Sequence, residues 1–74
     1  MRTNTSKYEA THGRRPRGRG MWIFELVGTD GNGRYTTGTY EAHGTLAKAR
    51  ASAVRRFRSE VGGVQRVIEA TVMP

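Results

Sequence analysis

From Met21 onward the apolar and polar positions follow readable periods. Trp22-Ile23-Phe24-Glu25-Leu26-Val27 is rich in aromatic and β-branched residues, which suit a pleated, half-buried surface. Gly28-Thr29-Asp30-Gly31-Asn32-Gly33 then carries an Asp-Gly and an Asn-Gly dipeptide, residues that accept the positive φ of hairpin loops. Arg34 to Glu41 reads as the returning strand, so this stretch predicts a β-hairpin. Thr45 stands as an N-cap before a helical segment running to about Val61, and Gly62-Gly63 stops it. Stepping about 100° per residue from Leu46 gathers Ala49, Ala53, Val54, Phe57 and Val61 within one arc of roughly 140°. Lys48, Ser52, Arg55, Arg58 and Ser59 fall on the other side, with Arg56 at its border, which gives an amphipathic helix with a cationic outer face. Arg50 breaks the pattern by lying inside the apolar arc, and its long stem is expected to snorkel to the edge. Val64 to Met73 returns to strand character. Val64, Ile68, Ala70 and Val72 share one face, and Val67, Glu69, Thr71 and Met73 share the other.

These elements predict an α+β fold, a small β-β-α-β domain over residues 21–74. A right-handed crossover makes the last strand parallel to the second, and it sits most simply beside the first. Numbering the three strands along the chain, the sheet order is 2-1-3, with one helix on one face. Trp22, Phe24 and Leu26 meet Leu46, Ala53, Val54 and Phe57 in the core. Ile23, Glu25, Val27, Val67, Thr71 and Met73 remain on the open face.

Residues 1–20 differ in kind. Their only apolar groups are Met1, Tyr8 and Ala10, and Gly13, Pro16, Gly18 and Gly20 interrupt any period. Such a segment buries too little to offset its ordering entropy, so residues 1–20 are expected to form a disordered basic arm.

Composition narrows the function. Seventy-four residues allow one small domain at most. Thirteen Lys plus Arg, eleven of them Arg, against six Asp plus Glu give a net charge of +7, of which +5 falls in residues 1–20 and +2 in residues 21–74. A polyanion partner is the natural expectation. The absence of cysteine excludes disulfide staples and thiolate metal sites. No apolar run approaches the ~20 residues of a membrane span, and the first twenty residues lack the apolar core of a signal peptide. The expectation is a cytoplasmic protein with no membrane partner. His12 and His43 have no spaced carboxylate or thiol companions, and the glycine-rich loop has neither a dinucleotide-binding nor a phosphate-loop context. No enzyme activity, metal, cofactor or small-molecule substrate is expected.

The candidate chemistry is therefore binding. In the arm, Gly13-Arg14-Arg15-Pro16-Arg17-Gly18-Arg19-Gly20 places arginines around glycines. Arg15-Pro16-Arg17-Gly18-Arg19 resembles the AT-hook, a peptide built on Arg-Gly-Arg-Pro that lies in the minor groove of A·T-rich DNA. That resemblance implies that Arg17, Gly18 and Arg19 insert into the groove and that Arg14 and Arg15 meet phosphates. Gly20 stands where the AT-hook has its second proline. Lys48, Arg55 and Arg58 on the outer helix face could lie along a phosphate backbone, adding salt-dependent affinity without base reading. Together these predict a small basic nucleic-acid-binding protein, with DNA favoured over RNA. The alternative is a protein-interaction module, such as a phage-type inhibitor or accessory subunit. It would form a homodimer or dock on a protein partner through Ile23, Val27, Val67 and Met73 on the open sheet face.

Overall fold

The computed structural model describes residues 1–74. Its elements are β1 (Arg2–Asn4), α1 (Ser6–His12), β2 (Arg19–Thr29), β3 (Tyr35–Thr45), α2 (Leu46–Glu60) and β4 (Arg66–Val72). The hairpin sets the frame. Asp30 closes its turn by accepting, at Oδ1, the backbone N–H of Asn32 at 2.8 Å and of Arg34 at 3.0 Å, and Gly33 takes a φ of 78°. From there β2 and β3 pair antiparallel without interruption, from Thr29 opposite Tyr35 to Arg19 opposite Thr45. The amphipathic segment forms α2, whose N-cap Thr45 accepts the Lys48 N–H at its side-chain oxygen, 3.3 Å away. β4 then returns beside β2, antiparallel to it.

Two expectations are corrected here. Residues 1–20 are not a disordered arm, because residues 1–12 supply a strand and a helix. The sheet has four strands in the order β1-β4-β2-β3, not three, and β1 runs parallel to β4. Two helices pack on it, not one. The reason lies in polar and backbone interactions that an apolar count does not register. Asn4 Oδ1 accepts both the backbone N–H and the hydroxyl of Ser6, the Thr5 hydroxyl donates to Glu9, and Gly13 ends α1 at a φ of 70° with its N–H on the Glu9 carbonyl. One apolar anchor suffices to seat the helix: the Tyr8 ring lies 5.7 Å from that of Trp22 and 4.1 Å from that of His12. Arg50 accounts for its place inside the apolar arc of α2. Instead of snorkelling to the solvent edge it reaches across to β1, where Nη1 donates to the Thr3 hydroxyl at 2.7 Å.

The core fills the single layer between sheet and helices. Phe24 and Leu26 from β2, Ala70 and Val72 from β4, and Ala49, Ala53 and Phe57 from α2 are wholly buried there. Two glycines make room for the aromatic rings. A Cβ on Gly38 would stand 2.7 Å from the Tyr40 ring, and one on Gly28 would meet Phe57 and Val64 at 3.0–3.1 Å. Opposite Gly28 the β2–β4 register slips. Val27 faces Glu69 but Gly28 faces Val67, so Ile68 is an extra, bulged residue. The bulge reverses the side-chain alternation upstream of it. Val67, expected on the open face, is therefore turned into the core with 4% exposure.

Candidate nucleic-acid interface

Three of the thirteen cationic residues have a side-chain partner within the fold, and the other ten, among them Lys7, Arg34 and Arg66, are exposed without one. Arg2, Arg50 and Arg56 are used internally. Arg2 lies 4.0 Å from Glu69, and Arg50 holds Thr3. Arg56 donates to the Glu41 carbonyl at 2.7 Å, lies 3.6 Å from Glu60 and sits 5.3 Å over the Tyr40 ring. Arg14, Arg15, Arg17, Arg19, Lys48, Arg55 and Arg58 are all exposed, and none of their side chains has an ion-pair or hydrogen-bond partner.

Their placement follows from the elements that carry them. Arg14, Arg15 and Arg17 lie in the loop between α1 and β2, which Gly18 ends at a φ of 78°. Arg19 is the first residue of β2 and is paired with Thr45, the cap of α2. Lys48 follows in the first turn of that helix, which holds no acidic residue. The register thus brings the end of the arginine loop to the start of α2, where helix dipole and lysine are both positive. Lys48 to Arg58 extends the row about 15 Å along the helix, at 1.5 Å per residue. Within α2, five cations stand against Glu60 alone.

Three of the six acidic residues lie on the sheet. By register and alternation, Glu25, Glu41 and Glu69 all project from the sheet face opposite the helices. There Ile23 is paired with Glu41, Glu25 stands between Thr39 and Thr71, and Val27 stands between Thr37 and Glu69. Of the four residues expected to form an aliphatic contact, Ile23, Val27 and Met73 are half-buried on this face, interleaved with carboxylates, and Val67 is absent from it.

The one concavity, lined by Arg19, Gly20, Met21, His43 and Gly44, is open to solvent rather than enclosed. No three His, Asp or Glu side chains converge as metal ligands would. No helix is long and apolar enough to cross a membrane. Comparison with protein families, with curated proteins and with solved structures finds no match.

Proposed function

We propose that this is a small cytoplasmic nucleic-acid-binding protein, acting by binding and not by catalysis. DNA is the favoured partner, gripped through phosphates by the arginine loop and by the outer face of α2. The observation that carries the reading is the clustering of cations. Arg14, Arg15 and Arg17 in the loop and Lys48, Arg55 and Arg58 on α2 are exposed and unpartnered, Arg19 stands between the two groups opposite the cap of α2, and within α2 five cations stand against Glu60 alone. Lys48 supports it in particular. A lysine in the first turn opposes the helix dipole and costs a few tenths of a kcal/mol unless an anion approaches. The AT-hook form of this reading inserts Arg17 and Arg19 into the minor groove and leaves the other five cations on phosphates.

Salt dependence tests the reading quantitatively. On duplex DNA, log affinity falls against log salt with a slope of about −0.9 per phosphate engaged. Contacts by Arg14, Arg15, Arg17 and Arg19 alone give a slope of about −3.6, and all seven cations give about −6. Replacing Lys48, Arg55 and Arg58 by alanine together should bring the larger value down to the smaller. Preference for A/T-rich over G/C-rich duplex, lost in Arg17→Ala, supports groove insertion, and equal affinity reduces the loop to a phosphate binder. No binding to DNA or RNA at about 50 mM salt would overturn the proposal.

A further inference from the structure

The sheet has two edges that differ sharply. β1 covers one edge with three residues, too short to template another strand. The other edge is β3, eleven residues from Tyr35 to Thr45. It contains no proline, lysine or arginine, and it pairs with β2 without a bulge. Natural proteins protect exposed edges with these very devices.

Register shows which peptide groups this edge offers. Asp30 donates its N–H to the Arg34 carbonyl, so the even-numbered residues of β3 bond inward to β2. The N–H and C=O groups of Tyr35, Thr37, Thr39, Glu41 and His43 therefore point outward. Of these, only the Glu41 carbonyl has a side-chain partner, Arg56, and a carbonyl oxygen keeps a second lone pair. All five side chains are exposed, and Tyr35 at 72% is the most exposed large apolar residue of the chain.

We infer that β3 pairs antiparallel with β3 of a second copy, about a twofold axis at Thr39. In that register Thr39 meets Thr39, Thr37 meets Glu41, and Tyr35 meets His43, each as a hydrogen-bonded pair. The strand is complementary to itself. No like charges are opposed, the tyrosine gains an aromatic neighbour, and about ten main-chain bonds form, as many as a typical specific interface carries. The sheet becomes eight-stranded and continuous, with helices of both copies on one side and the glutamates on the other. The pairing uses none of the seven cations of the proposed nucleic-acid contact and does not depend on that function.

Sedimentation equilibrium over a concentration series tests it, with the full chain and no nucleic acid. The wild type is expected to show a monomer–dimer equilibrium. Thr39→Lys, which sets lysine against lysine at the axis, should weaken it about a hundredfold. Thr39→Pro removes an outward N–H that β2 does not use, and should abolish association while circular dichroism and Trp22 fluorescence stay those of the wild type. A wild type that is monomeric at about 1 mM overturns the inference, as does a dimer that neither substitution affects.

Discussion

Gly38 occupies its position in β3 because a side chain would not fit beneath the rings of Tyr40 and Phe57. A Cβ there lies 2.7 Å from one and 3.2 Å from the other, so both must move. Gly38→Ala should cost about 1–3 kcal/mol from overpacking, read as a lower urea midpoint with an unchanged slope. Phe57→Ala acts in the opposite sense, emptying the centre of the core, and should cost about 3–5 kcal/mol. In a domain of this size that approaches the whole stability, so the variant is expected to be largely unfolded by circular dichroism. Arg50 shows what a single polar exception can mean. Its break in the helical pattern was plain in the sequence, but its partner Thr3 lies 47 residues away and could not be read there. Val67 shows the reverse case. Strict alternation put it on the open face, and one bulged residue, Ile68, turned it inward.

The elements with strong periods were the legible ones. Trp22 to Val27, the Asp-Gly/Asn-Gly loop and the helix capped by Thr45 all stand where hydrophobic spacing and turn chemistry place them. β1 and α1 were not legible, because their order comes from a ladder with β4, a few side-chain caps and one tyrosine, with no buried residue in α1. The candidate site was legible in residue type but not in arrangement. Its arginines were visible as a basic run, whereas the meeting of Arg19 with the cap of α2 depends on the β2–β3 register. Tyr8 gives a test at this scale. Tyr8→Ala removes the ring beside Trp22 and should release α1 without unfolding the sheet. The expected readout is a red shift and easier quenching of the fluorescence of Trp22, the sole tryptophan.

Across the whole molecule, charge and strand order together give a cationic α2 and a sheet face of mixed charge, where Glu25, Glu41 and Glu69 stand with Arg2 and Arg19. The proposed nucleic-acid contact would use the α1–β2 loop and α2, and the proposed pairing uses the β3 edge, so the two should be separable by mutation. The parallel pairing of β1 with β4 carries a different consequence. It joins Arg2 to Glu69, almost the two ends of the chain, through a loop that only the rest of the fold can close. The hairpin, α2 and β4 can assemble first and leave that closure until last, so β1 and α1 should be the unit that opens first. Their amides are expected to exchange hydrogen by local opening, with protection well below that of β2. Because the loop between α1 and β2 exposes Arg14 and Arg17 to trypsin, a single nick there should leave residues 1–12 held only by contacts. The nicked protein would then be a reversible two-piece complex, from which the first strand can leave, and to which a synthetic copy can return.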